Sequence, residues 1–257
     1  MSAVSPRRRI LLVNPNTSQV VTAILEKAAR CHLPAGADLR CVTAPFGAAS
    51  IEGPAELAIA AHATLEAIAD NTECDAAIIA AFGDPGLEGA REIAPMPVFG
   101  LRESGLQAAA KNGRRFGVLT LGPALLPALH SAISEAGIAD RCTSVRLLDS
   151  SVLQLAEDAG SFARRIAGIV DEMADAGAQA VLLGGAPFSE LVATSGLDTR
   201  VPVIDGLEEA LAEALGATLS VHAQMDDENR PKPHKGISPA LSRLLNRGRL
   251  SILATER

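Results

Sequence analysis

The residues of this chain best equipped for chemistry stand in short polar loops that follow apolar runs. Asn14-Pro15-Asn16-Thr17-Ser18 offers amide and hydroxyl groups able to donate to a carbonyl or carboxylate. Ser50 lies in a loop of small residues, and Thr120 ends another apolar run. In Phe82-Gly83-Asp84-Pro85-Gly86, Asp84 is the candidate catalytic group, a carboxylate that can orient a water or move a proton. Gly184-Gly185-Ala186 opens a further loop whose backbone amides can meet an anion. Each motif also has a plainer reading. Asn-Pro-Asn-Thr is a turn and helix cap, and Gly-Asp-Pro-Gly is a turn in which the aspartate bonds its own backbone.

Other chemistries find little support. Cys31, Cys41, Cys74 and Cys142 show neither CxxC nor Cys/His metal spacing, and no two of the five histidines lie four apart. The expectation is reduced thiols, no metal and no cofactor. With 23 Lys+Arg against 30 Asp+Glu, the net charge of −7 provides no basic stripe for nucleic acid. Aromatic residues make up 2% of the chain, with no Trp or Tyr, which argues against base-stacking platforms. No apolar run approaches the ~18–20 residues that span a bilayer. Met1–Arg9 is basic, but Ile10–Val13 is too short for a secretory signal, so a cytoplasmic location is expected.

These loops are positioned by alternating strand-like and helical segments. Arg8–Val13, Asp38–Thr43, Ala76–Ala80 and Pro97–Gly100 read as strands. Phe116–Leu121, Val145–Leu148, Ala180–Leu183 and Val201–Ile204 continue the series. Helices are expected from the Thr17 or Ser18 cap to about Cys31, over Pro54–Asp70, near Glu103–Lys111 and between the later strands. Near-continuous apolar strands alternating with helices define an α/β fold with parallel sheets covered on both faces.

The pattern also repeats. Ala76–Ala81 followed by Pro97–Glu103 recurs about 105 residues later as Ala180–Gly185 followed by Pro202–Glu208. The repeat predicts two pseudo-symmetric Rossmann-like lobes with a cleft where the carboxyl ends of their strands meet. Lobe 1 is expected over residues 1–100 plus about 208–225, and lobe 2 over 101–207. Residues 226–257 read as a polar, Pro-punctuated arm, within which Leu241, Leu244 and Leu245 can share a helical face.

In their order, these loops resemble the hydantoin and allantoin racemases of the aspartate/glutamate racemase superfamily. The resemblance rests on Asn14–Ser18, Ser50-Ile51-Glu52-Gly53, Ala80–Leu87 and Pro97–Gly100. In the second half it rests on Leu183–Ala186, Pro202–Gly206 and Arg230-Pro231-Lys232-Pro233. It implies a cofactor-free racemase or isomerase acting on a small amino-acid-derived carbonyl compound, while the lobe interface and the arm suggest a homo-oligomer. In that family, one thiolate removes the proton α to a carbonyl while a second thiol donates to the opposite face.

The resemblance places the two thiol positions at Ala81 and Gly185, where neither side chain holds a proton. Asn14, Ser50, Ala81, Phe82, Gly83, Thr120, Gly185 and Ala186 are the expected substrate-binding positions. Three readings of the ligand's fate stay open: racemase-like action, cysteine-independent hydrolysis or lysis of a cyclic amide, and binding without turnover. The alanine at position 81 reads equally as a natural departure or as an engineered Cys→Ala change.

Overall fold

A computed structural model describes residues 8–150, 159–195, 197–217, 221–222, 232–246 and 251–252. The basic segment at residues 1–7 and the polar stretch at 226–231 lie outside the described residues. So does the end of the arm, residues 253–257.

The first half forms a parallel sheet of strands β1 (Arg8–Asn14), β2 (Ala37–Thr43), β3 (Ala76–Ile79) and β4 (Val98–Gly100), ordered β2-β1-β3-β4. The second half repeats this arrangement with β5 (Phe116–Thr120), β6 (Cys142–Leu147), β7 (Ala180–Gly184) and β8 (Val203–Asp205), ordered β6-β5-β7-β8. The α/β class and its parallel sheets follow from the apolar runs. Strand residues alternate between faces, so runs such as Ile10–Val13 fold stably only when both faces are covered.

Helices supply that cover. Ser18 Oγ accepts from the Val21 N–H at 3.3 Å and starts α1 (Gln19–His32). The buried α1 residues Val21, Leu25, Ala28 and Ala29 fall on one helical stripe and pack on Ile10, Leu12, Ala76 and Ile78. On the other face, Leu11, Val13, Ala77 and Ile79 pack with α2 (Pro54–Ala69) and α3 (Leu87–Ile93). The second sheet is covered by α4 (Leu101–Ala109), α5 (Leu126–Glu135), α6 (Ala159–Asp175) and α7 (Ala186–Ser195).

Two helices exchange sides. Helix α4 follows β4 of the first sheet, yet Leu106, Ala108 and Ala109 pack with Phe116, Val118 and Leu182 of the second. Helix α8 (Gly206–Gly216) follows β8 and returns Leu207, Ala210, Leu211 and Ala214 to the first sheet's core. At the crossing, a Cβ on Gly206 would overlap the Leu101 carbonyl oxygen, so only glycine fits there. Helix α4 also starts earlier than its sequence implies, at Leu101 rather than near Glu103, because Asp84 caps it from another loop.

In the arm, α9 (Pro239–Leu245) packs Leu241 and Leu244 on Ala69 and Ile93, and the Ser238 N–H donates to Glu66 Oε1 at 2.9 Å. A short antiparallel pair joins β9 (Val221–His222) to β10 (Ser251–Ile252). Among the described residues, no helix is long and apolar enough to cross a membrane.

Candidate active site

The loops after β1, β3, β5 and β7 converge on a cavity of about 70 Å³. The first half contributes Asn16, Ile51, Leu57 and Ala80–Gly83 to its lining, and the second contributes Thr120–Gly122, Leu129 and Gly184–Pro187. Arg102, from the first turn of α4, completes the polar part of the wall. A single water needs roughly 10–15 Å³, so the space accommodates one small molecule rather than a polymer.

The Asn14–Ser18 loop is built around its first residue. Asn14 is buried, and its Nδ2 donates to Asn16 Oδ1 at 2.9 Å, to Thr22 Oγ1 at 2.9 Å and to the Ser18 carbonyl at 3.1 Å. Its Oδ1 accepts from the Asn16 N–H at 3.2 Å. Asn14 therefore does not line the cavity; it fixes Asn16, which does. Asn16 Oδ1 also accepts the Ser18 N–H at 2.9 Å, while its Nδ2 has no partner among the described residues. Ser50 likewise lies off the wall, donating to Glu52 Oε1 at 2.7 Å, and its neighbour Ile51 takes the lining position.

Asp84 is set behind the wall. Its side chain is fully buried, with Oδ1 accepting the Arg102 N–H at 3.0 Å and Oδ2 the Glu103 N–H at 2.9 Å. Burial pushes its carboxyl up to about 6, against the opposing pull of the Arg102 charge and these two amide bonds. Its φ of 45° places it in the left-handed region, which aspartate tolerates better than most residues. The second half reaches the same end differently: Asp205 caps α8 itself, accepting from the Leu207 N–H at 3.2 Å and from Ser189 Oγ at 2.8 Å. Burial raises the Asp205 carboxyl as well. Of the repeated glutamates, Glu103 forms an ion pair with Arg91, and Glu208 Oε1 lies 3.6 Å from His32 Nδ1.

Thr120, Ala81, Phe82, Gly83, Gly185 and Ala186, named from the sequence as substrate-binding positions, all line the cavity. Thr120 Oγ1 donates to the Gly184 carbonyl at 2.6 Å, so toward a ligand it offers lone pairs rather than a proton. The Phe82 ring fills the space that a side chain at Gly184 would need. A Cβ at Gly185 would stand 3.2 Å from Phe188 Cδ2, tight but open to adjustment.

The cysteines lie elsewhere. Cys74 is buried, Cys41 and Cys142 are half-buried, Cys31 is exposed, and none lines the cavity. Burial pushes the Cys41 thiol up to about 12 and raises those of Cys74 and Cys142, which keeps them in the unreactive protonated form. Among the described residues, no group of His, Cys, Asp or Glu side chains is arranged to hold a metal ion.

Sequence reasoning missed Arg102 and the apolar side of the wall formed by Ile51, Leu57, Leu121 and Leu129. A signal for Arg102 was present: it occupies a place in the repeated Pro-Val motif where the second copy has Leu207.

The doubled parallel α/β frame, with a cavity lined from both halves, is a class of fold shared with solved racemases. Residues 10–214 match the Asp/Glu/Hydantoin racemase family, and the chain belongs to it. It is 37% identical over 217 residues to the hydantoin racemase of Rhizobium meliloti, covering 80% of this chain and 88% of that one. Among solved structures it is similar to the allantoin racemase from Klebsiella pneumoniae, with 34% identity and a TM-score of 0.74 over 81% of this chain and 86% of that one. The allantoin racemase of Pseudomonas fluorescens gives 30% identity and a TM-score of 0.72 over 80% and 89%.

Proposed function

We propose that this chain is a racemase-like protein that takes a small hydantoin-like or amino-acid-derived carbonyl compound into the cavity without a cofactor. The observation that carries this reading is the convergence of loops from both sheets on one small, largely apolar space. The family's relatives, hydantoin and allantoin racemases, support the ligand class. Proton transfer at such a ligand needs a base on one face and an acid on the other. If Ala81 and Gly185 stand where the family has its thiols, as the resemblance implies, that transfer uses a group other than cysteine.

A second reading, binding without turnover, is favoured by the lining itself. Its polar side chains are Asn16, Thr120 and Arg102, and none of them exchanges a proton readily near neutral pH. A hydrolase or lyase would need the same missing base.

The test is α-proton exchange in deuterated water, followed by NMR on hydantoins, allantoin, aspartate and glutamate, with no metal or cofactor added. Exchange above the protein-free rate supports racemase-like action. Broadened ligand signals without exchange assign the cavity to binding alone. Sharp signals across the whole panel would overturn both readings.

A further inference from the structure

Among the described residues that line the cavity, Arg102 alone is charged. Its side chain is 21% exposed, and Nε lies 3.7 Å from Asp84 Oδ2, beyond hydrogen-bond distance. Asp84 spends its two oxygens on the backbone N–H groups of Arg102 and Glu103. The carboxylate therefore balances the charge of the guanidinium without occupying its donor fork. Among the described residues, the terminal nitrogens of Arg102 have no hydrogen-bond partner. A guanidinium stays protonated throughout the accessible pH range, and its planar fork matches a carboxylate in a bidentate fashion.

A second feature points the same way. The Asn16 side-chain oxygen is committed to Asn14 Nδ2 and to the Ser18 N–H, which fixes the orientation of the amide and leaves Nδ2 without a partner among the described residues. The two lining side chains with unspent donors, Arg102 and Asn16, both call for acceptors. The cavity is also asymmetric despite the repeat, because the counterpart of Arg102 is Leu207, fully buried in the first sheet's core. A ligand held here has one anionic end, set by the first half.

We infer that Arg102 is a specificity-determining residue that receives a carboxylate, and that the preferred ligand is an open-chain carboxylate with a second acceptor carbonyl rather than a neutral ring. The N-carbamoyl and N-acyl amino acids are compounds of this class. The inference rests on the proposed use of this cavity and narrows its substrate class.

A matched pair of probes tests it: N-carbamoylalanine, which is anionic, and 5-methylhydantoin, its neutral ring-closed counterpart. Calorimetric titration of the full chain at neutral pH is expected to give the carboxylate about tenfold or more the affinity of the ring, the scale of a charge-assisted hydrogen bond. Arg102→Gln is expected to abolish that preference by weakening the carboxylate about tenfold or more, well beyond any change in hydantoin affinity, and Arg102→Lys to retain part of it. Melting curves of both variants establish that they fold. If Arg102 serves only as a structural counter-ion to Asp84, the substitutions weaken both probes alike or neither, and the assignment falls. Equal affinity of the wild-type chain for the two probes overturns it as well, with the cavity reading intact. Failure of both probes to bind the wild-type chain would sink the inference together with that reading.

Discussion

Asp84 and Gly100 are fitted to one another: a Cβ at position 100 would stand 2.6 Å from each carboxylate oxygen of Asp84. The missing side chain lets a carboxylate from the β3 loop reach the first amides of α4. In the second half the matching position is Asp205, which caps α8 directly. Both helices thus begin on a buried carboxylate, delivered by two different routes.

Gly100→Ala tests this fit. The added methyl collides with Asp84 and strips α4 of its cap, so a loss of about 1–3 kcal/mol is expected, the usual cost of overpacking. Urea unfolding measures it. Wild-type stability would mean that the carboxylate can be displaced at no cost.

The buried Asp84 also makes stability depend on pH. Its folded value, pushed up to about 6, lies above the roughly 3.9 of an unfolded aspartate. Between these values the folded chain keeps a proton that the unfolded chain has released. Its contribution is therefore fully present below pH ~4, declines as pH rises, and levels off above pH ~6. The change is on the order of 3 kcal/mol over that window. Asp84→Asn removes the slope, so unfolding curves of the two proteins at several pH values should diverge most between pH ~4 and pH ~6. Parallel curves would refute the assignment.

Asn14→Ala is expected to cost stability, not only ligand affinity. The amide is buried and takes part in four hydrogen bonds, counting the Asn16 N–H that it accepts. Leaving such partners unsatisfied costs about 1–3 kcal/mol. The sequence suggested a ligand contact, and a residue with that role alone would leave melting unchanged. Differential scanning calorimetry decides between these outcomes, and an unchanged melting temperature restores the earlier expectation.

Thiols placed at positions 81 and 185, where the resemblance puts the family's cysteines, should differ in cost. Ala81→Cys extends a half-buried side chain at the cavity wall, whereas Gly185→Cys requires the buried Phe188 ring to yield. The second change is expected to be the less stable by about 1 kcal/mol or more. The single variant at 81 should promote α-proton exchange without inversion, and the double variant should add inversion. Deuterium incorporation and optical rotation are the readouts; inversion by the single variant would show that the second thiol is dispensable.

Most of the fold was legible because its signals are local. Ile10–Val13 and Ala180–Leu183 are apolar runs that require cover on both faces, and Ser18 caps the helix beside it. The repeat of Pro97–Glu103 in Pro202–Glu208 revealed the doubling in one dimension. The same locality placed Ala81, Phe82, Thr120, Gly185 and Ala186 on the cavity wall, since each follows a strand whose end faces it.

The amino-acid sequence by itself determined the α/β class, the doubled strand order and the loops that meet. Only the tertiary structure decided which side chains face inward. Asp84 meets amides 18 and 19 positions away and turns from candidate acid to helix cap. Asn14 is consumed by its own loop, which leaves Asn16 as the amide on the cavity wall. Arg102 enters the cavity because α4 crosses to the second sheet, a path set by packing of Leu106 and Ala109 on Phe116 and Leu182. Periodicity and capping are fixed within a few residues of chain, whereas these roles depend on distances between segments that only packing brings together.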